Sequence, residues 1–593
     1  MRIRPPGSSG PAIAVLTVLT LELLRLSGPL IASAPGGTPG VVAVALLVFT
    51  APALAWPLVR AAGDRAARAS IVSVAALVAA RLALQAFPGP PYALGPAATA
   101  LALIALVIAV ARADGGAGAA GLPTGIALDV AVRSLFSTWD VVWQPGWPAW
   151  LVTGLLCAAA LALTWRAPGG TLQAGPRAWV AGPFLGLTAL ALGDPAFAAA
   201  RSGLPLPVAA GTLIVGALFA VVVAGEAGHT AAFGRRGVLW GAGAALGVSL
   251  AAASLLDGPA VLVALGAAQL CAAVLLARAL TGTGREGVGA AGLGAGLGYA
   301  LTVLPCQHET PDGLPALLWP LAATAALTLA AGAGRARRAP RGMVAHEFHL
   351  AGGCALALLA PVIALVTTPS PAAKPPRGQL KLLSWNVHHG PAPAVDPEAI
   401  ARVIEERDPD VVLLQAVARG LPGGGVDLAE WLTRRLGPAT RIWAPAADRR
   451  TGDLILARVP LTERRAGGPP YAALSYATGT VTLDGGRPLR LTTAHREGNG
   501  PPIGALPTAW HGGRPAVIAG DLGSTAPAER LALTRAGFTR AAPRTPSPDH
   551  VWATRDLVFR GFAVLAPATA SGRRPMETTV TIGGSRPGRV SGP

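Results

Sequence analysis

The chain has 593 residues, too many for one ordinary domain. Hydrophobic residues make up 52% of it and charged residues 13%, against about 25% charged in an average soluble protein, which excludes a wholly soluble chain. The formal net charge of +18 suits nucleic-acid binding or the cytoplasmic loops of a membrane protein.

The start, Met1-Arg2-Ile3-Arg4, is positive and leads into an apolar run with no convincing cleavage signal. It reads as a first transmembrane helix rather than a signal peptide. A span needs about 20 mainly apolar residues. Candidates lie near 12–34, 40–59, 69–87, 93–111, 123–138, 147–165, 178–199, 205–225, 237–256, 259–277, 287–305, 315–334 and 348–367. A multi-pass α-helical membrane domain of about 13 helices is therefore expected over residues 1–367.

The loops test that count. With the N-terminus inside, the inner loops hold Arg2 and Arg4; Arg60, Arg65 and Arg68; Arg112; Arg166 and Arg177; Arg235 and Arg236; Arg278 and Arg285; and Arg335, Arg337, Arg338 and Arg341. The short outer loops hold only Arg201. This is the positive-inside pattern. An odd number of spans then predicts a cytoplasmic N-terminus and an extracytoplasmic chain beyond residue 368. The alternation needs the fifth span, although that span carries Asp129 and Arg133.

Glu22, Arg25, Arg81, Asp129, Arg133, Asp140 and Asp194 sit at or near membrane depth. Charge in lipid is costly and usually pairs or lines a cavity. Glu22 with Arg25 and Asp129 with Arg133 have helical i,i+3 and i,i+4 spacing. Two readings fit: local ion pairs that fix packing, or a polar site for a substrate or lipid headgroup. Trp139, Trp143, Trp147 and Trp150 fit an interfacial aromatic belt. Cys157, Cys271, Cys306 and Cys354 offer neither metal spacing nor a disulfide framework.

Thr368 to Gly378 is a Pro-rich, extended linker. Beyond it short apolar runs alternate with turn signals over 379–585, and a disordered tail is expected at 586–593. Leu380–Trp385, Val411–Gln415, Leu454–Ala457, Gly479–Leu483, Leu489–Thr493 and Ala516–Ala519 read as strands. Pro397–Arg407 reads as a helix, with Asp396 as its cap and Pro397 at its first position. Asp427–Leu436 reads as another.

The segments LKLLSWNVHHG (380–390), DPDVVLLQAV (408–417), TGDLILARVPL (451–461), LRLTTAH (489–495), PAVIAGDLGS (515–524), PDHVWATRDL (548–557) and SGRRPMETTVTI (571–582) follow one another in a familiar order. Together they resemble the endonuclease/exonuclease/phosphatase superfamily, which implies a C-terminal α/β DNase I-like four-layer sandwich. Some bacterial membrane proteins carry such a domain behind many helices. The resemblance implies metal-dependent phosphoester hydrolysis with Mg²⁺ or Mn²⁺. It assigns an Asn at the end of the first strand, a metal-holding Glu after the second, an Asp-x-Asn pair that activates water and orients the phosphate, and a further Asp supporting a late Asp-His pair.

On that pattern Asn386, Asp521, Asp549 and His495 match family positions. Ala416 stands where the Glu is expected, Gly523 where the Asn is, and Gly572 and Arg573 where the late Asp and His are. Asp453 is an additional carboxylate. Two metal carboxylates are thus missing, and a hard cation wants carboxylate oxygens. The loss of single catalytic groups commonly costs factors of about 10² to 10⁴. A catalytically impaired domain is expected, needing no metal cofactor. Arg573 and Arg574 are its candidate phosphate-binding residues, and its partners are membrane lipids, a phosphorylated lipid or a glycan. Alternatives are an active Mg²⁺- or Mn²⁺-dependent phosphoesterase, and transport or flipping by the membrane half. Nucleic acid is disfavoured, because the domain is expected outside the cytoplasm and the scarcity of Lys points to a coding bias toward Arg.

Overall fold

The computed structural model describes residues 9–582 apart from 33, 64, 88–92, 168–176, 283–286, 309–313, 334–343, 368–372, 376–377, 388–395, 423–424, 447–448, 468–473, 497–513, 523–526, 542–548 and 567–572. The chain divides into two compact units. One is Met1–Thr367 with Pro391–Pro393 and Gly420–Asp427; the other is Thr368–Gly390, Ala394–Arg419 and Leu428–Pro593.

Among the described residues of the first unit 12 helices are long and apolar enough to cross a membrane. In chain order they are Gly10–Ala32, Gly37–Ala61, Ala66–Ala86, Leu94–Arg112, Gly115–Leu135, Trp147–Arg166, Ala178–Ser202, Leu206–Gly228, Arg236–Leu255, Ala260–Thr281, Val288–Gln307 and His349–Val366. The helix Leu314–Gly332 lies where the twelfth sequence candidate was placed, and its described apolar stretch, Leu317–Gly332, is shorter. Burial separates interior from periphery. The first span is 89% buried and the seventh 100%, whereas the second is 22% buried and the sixth 28%. The first and fifth spans touch backbone to backbone. A Cβ on Gly121 would lie 2.8 Å from the Gly10 carbonyl oxygen and 3.0 Å from Ile13, so small residues set this close crossing. The seventh span is interrupted at Gly193. Asp194 then caps its last segment, Pro195–Ser202, by accepting the Ala196 N–H at 3.1 Å.

The charges at membrane depth correct the expectation of local pairing, because their ion pairs run between helices. Arg25 Nη2 lies 2.8 Å from Asp129, Arg81 Nη2 lies 2.8 Å from Glu22, and Arg133 Nη1 lies 3.2 Å from Asp194. A guanidinium in low dielectric is held by whichever carboxylate the packing brings against it, and helical spacing alone does not decide that.

The second unit is a two-sheet α/β domain. Its strands are β1 (Gln379–Asn386), β2 (Val411–Gln415), β3 (Thr440–Pro445), β4 (Gly452–Ala457), β5 (Thr462–Gly467), β6 (Leu474–Leu483), β7 (Arg487–Arg496), β8 (Ala516–Asp521), β9 (Phe538–Arg540), β10 (Asp549–Thr554), β11 (Leu557–Val564) and β12 (Met576–Ile582). One sheet has the order β11-β12-β1-β2-β4-β3, the other β5-β6-β7-β8-β10-β9. The sheets share a core containing Leu382, Leu413 and Ile455 from the first and Val481, Leu491 and Val517 from the second. On the outer side of the second sheet, Ile518 and Trp552 pack with Leu533 of the helix Pro527–Arg535. The helix Pro397–Arg407 forms where expected, and Asp396 accepts the Glu398 and Ala399 N–H groups. Strands β1, β2 and β4 are buried along almost their whole length, as continuous apolar runs demand.

Candidate functional site

The first sheet brings Asn386, Gln415 and Asp453 to one end. Asn386 ends β1 and is the parallel partner of Gln415, which ends β2. Asp453 lies on β4, one step beyond the paired Leu414 and Leu454. Partners in register share a face, and here it is the inner one. Gln415 Nε2 donates to Thr493 Oγ1 on β7 at 2.8 Å, and Ser475 Oγ on β6 donates to Asp453 Oδ2 at 2.7 Å. Gln415 and Asp453 are completely buried and Asn386 nearly so. Polar groups this deep demand partners. Gln415 has two more acceptors, the Leu413 carbonyl at 3.0 Å and Ser384 Oγ at 3.3 Å.

The second sheet contributes His495, Asp521 and Asp549. His495 is buried and is the cross-strand partner of Ser475. Asp521 ends β8, and Asp549, the first residue of β10, is its antiparallel partner. Strands β7 and β8 run parallel, with Thr493 beside Ala519; two residues on, the same register brings His495 level with Asp521. The turn into Asp521 requires glycine. Gly520 has φ +149, and a Cβ there would collide with the Ala494 carbonyl oxygen.

Arg573 and Arg574 precede β12. Trp385 Nε1 donates to the Arg573 carbonyl at 3.2 Å, and Ser384 pairs with Met576. Extending that antiparallel register sets Arg574 opposite Asn386. Arg573 is half-buried and Arg574 exposed. By strand register Asn386, His495, Asp521, Asp549, Arg573 and Arg574 therefore lie at one end of the two sheets. Gly523 and Gly572 lie outside the described residues, as do the tail 586–593 and most of the linker 368–378.

Ala416 follows Gln415 directly, is 5% exposed and takes φ 52, a left-handed conformation that costs a non-glycine residue about 1 kcal/mol. The backbone bends here, and the side chain ends at Cβ. Among the described residues no group of three or more His, Cys, Asp or Glu is placed to hold a metal ion. At this corner the chain offers a methyl and no carboxylate to a divalent ion.

The sequence did not identify Gln415, Ser475, Thr493 or Ser384. A polar residue inside the run VVLLQ was the available signal, since an amide at a buried strand end needs a partner across the core. Near the site, His550 Nδ1 lies 2.6 Å from Arg540 Nη2, and burial, with Arg530 nearby, pushes the Arg540 pKa down.

The model of the Endonuclease/Exonuclease/phosphatase family matches residues 383–581. No curated protein matches the chain. Among solved structures, an endonuclease/exonuclease/phosphatase from Beutenbergia cavernae is 20% identical, covering 35% of this chain and 72% of its own with a TM-score of 0.28. A humanized D. rerio TDP2 is 15% identical over 34% of this chain and 99% of its own, with a TM-score of 0.27. The inositol polyphosphate 5-phosphatase domain of SpSynaptojanin, in complex with inositol (1,4)-bisphosphate and calcium, is 11% identical over 34% of this chain and 86% of its own, with a TM-score of 0.23.

Proposed function

Residues 383–581 form a domain of the endonuclease/exonuclease/phosphatase family, and from that premise we propose that this multi-pass membrane protein uses the domain to bind a phosphorylated ligand without hydrolysing it efficiently. The observation that carries this reading is Ala416, a buried methyl at the strand-end corner where the family pattern calls for a metal-holding carboxylate. Gly523 and Gly572 remove an amide and a second carboxylate from the same pattern. Groups that act as a unit do not lose activity additively, but single losses of about 10² to 10⁴ leave little room for turnover.

Binding asks for less. Arg573 and Arg574 supply fixed positive charge and planar donor sets suited to phosphate oxygens. Asn386 adds an amide, and Asp521 and Asp549 complete the family frame. The favoured ligands are a phosphorylated lipid headgroup or a glycan phosphate, because the domain follows a chain of apolar spans. Counting the helix Leu314–Gly332 with the 12 other spans gives thirteen, and with the arginine-rich inner loops this favours a cytoplasmic N-terminus and an extracytoplasmic domain.

The test is binding to full-length protein in lipid nanodiscs. One arm adds vesicles containing a phosphorylated phosphoinositide, the other a soluble phosphorylated disaccharide. Replacing both Arg573 and Arg574 with Ala should weaken binding at least about tenfold, since a hydrogen bond to a charged group contributes about 1.5–3 kcal/mol. Unchanged binding to the double variant, or metal-dependent hydrolysis of either ligand, overturns the reading.

A further inference from the structure

Among the described residues a set of buried ion pairs lies in the helical unit. Arg81 on the third span donates through Nε and Nη2 to both carboxylate oxygens of Glu22 on the first, at 2.9 and 2.8 Å. Arg133 on the fifth span pairs with Asp194 on the seventh at 3.2 Å. In each of these one guanidinium meets one carboxyl at ion-pair distance, and Arg133 also acts on Asp140 from further away. Arg25 on the first span differs. Its Nη1 and Nη2 donate to Asp129 at 2.9 and 2.8 Å. Its Nε donates to both oxygens of Asp140, at 2.9 and 3.2 Å. A single guanidinium is thus clasped by two carboxyl groups.

The charge count follows from these pairings. The cluster holds four carboxyls, Glu22, Asp129, Asp140 and Asp194, and three arginines, Arg25, Arg81 and Arg133. Arginine does not deprotonate in proteins. If every carboxyl were ionised, the excess negative charge would fall on the Arg25 group. An uncompensated buried charge is expensive, and such a group ordinarily neutralises itself instead. Asp129 is 2% exposed and accepts the two-pronged grip of the guanidinium end, whereas Asp140 is 10% exposed. Asp140 also lies between the fifth and sixth spans and not within either. It borders a cavity of about 10 Å³ lined by Glu22, Arg25, Asp129, Arg133 and Trp139, about the least that admits one water.

We propose that the Asp129–Arg25–Asp140 group is a proton-binding site, with the exchangeable proton on Asp140 and the adjoining water-sized cavity as its route of entry. The charges facing Asp140 are Arg25 and Glu22 from the first span and Asp129 and Arg133 from the fifth. Burial pushes the Asp140 carboxyl up and Glu22 adds to this, while Arg25 and Arg133 pull it down; the net direction is upward. The cavity is too small for a lipid headgroup or a sugar. The ligand is a proton. The proposal is independent of the soluble domain's role.

The test is infrared difference spectroscopy on the full-length protein in nanodiscs, titrated from acid to alkaline pH. The wild type should show a protonated-carboxyl band that disappears with a midpoint above the ordinary Asp value of about 3.9. Asp140→Asn should remove that band and still fold, because Asn presents the same neutral acceptor to Arg25. Asp129→Asn leaves Arg25 with one carboxylate, so Asp140 ionises and the midpoint should fall to the ordinary range or lower. If Asp140→Asn does not fold, the Asp129→Asn shift decides the matter. A band that survives Asp140→Asn, a midpoint unmoved by Asp129→Asn, or a wild type with no titrating carboxyl overturns the proposal. So does a midpoint that tracks sodium or potassium concentration, which would make the ligand a metal cation.

Discussion

Gln415 Nε2 donates to Thr493 Oγ1 at 2.8 Å, tying the last residue of β2 to the facing sheet immediately before the Ala416 corner. Gln415→Leu leaves Thr493 with one fewer partner in a dry layer and should cost about 1–3 kcal/mol. Gln415→Glu should cost more and do so in a pH-dependent way. Burial would raise the new carboxyl above its unfolded value of about 4.3. Stability would then be greatest below that value and would decline as pH rises through the raised folded value. The thermal midpoint of the soluble unit, followed across pH in full-length protein, checks both.

Ser475 Oγ donates to Oδ2 of the buried Asp453 carboxyl at 2.7 Å. Ser475→Ala should destabilise the domain by about 1–3 kcal/mol, because a carboxyl loses a partner while it stays buried. Adding Asp453→Asn should recover part of that loss, and chemical denaturation of the two variants provides the comparison.

The left-handed backbone at Ala416 makes a prediction opposite in sign to the usual Ala→Gly loss. Ala416→Gly should stabilise the domain by up to about 1 kcal/mol. Ala416→Glu restores the family's carboxylate but leaves Gly523, Gly572 and Arg573 in place. It should bring at most weak divalent-cation binding by calorimetry and no measurable turnover.

The Glu22–Arg81 pair is nearly solvent-free, at 5% and 1% side-chain exposure. Arg81→Met strands a carboxylate inside the helical unit and should cost about 3–5 kcal/mol. Adding Glu22→Gln removes the stranded charge and keeps an acceptor for the Val142 N–H, which Glu22 now binds at 3.1 Å. The double variant should therefore be more stable than Arg81→Met alone, as read from thermal unfolding in detergent.

The sequence makes some of this legible and hides the rest for identifiable reasons. The helix Pro397–Arg407 and the strand Val411–Gln415 could be read directly, because a capping Asp, a Pro at the first position and a continuous apolar run each signal locally. Strand β5, Thr462–Gly467, could not. Its residues are almost all exposed, so it carries no hydrophobic period, and pairing with β6 alone defines it. The charged residues of the helical unit were visible, but their partners were not. Arg25 meets carboxylates 104 and 115 residues away, and helical spacing favoured the wrong neighbour. At the candidate site motif order put Asn386, His495 and Asp521 at strand ends, which is where they lie. The inter-sheet contacts of Gln415 and Asp453 depend on how two sheets stack, which no local pattern encodes.

The central claim is that the soluble domain keeps the family's frame without its hydrolytic competence. Hydrolysis of an activated phosphodiester such as bis(p-nitrophenyl) phosphate by full-length protein, with Mg²⁺ or Mn²⁺ at millimolar concentration, tests it most directly, with Asp521→Asn as the control. The account predicts the same background rate for both proteins. Metal-dependent turnover by the wild type that Asp521→Asn abolishes would contradict it and establish an active phosphoesterase.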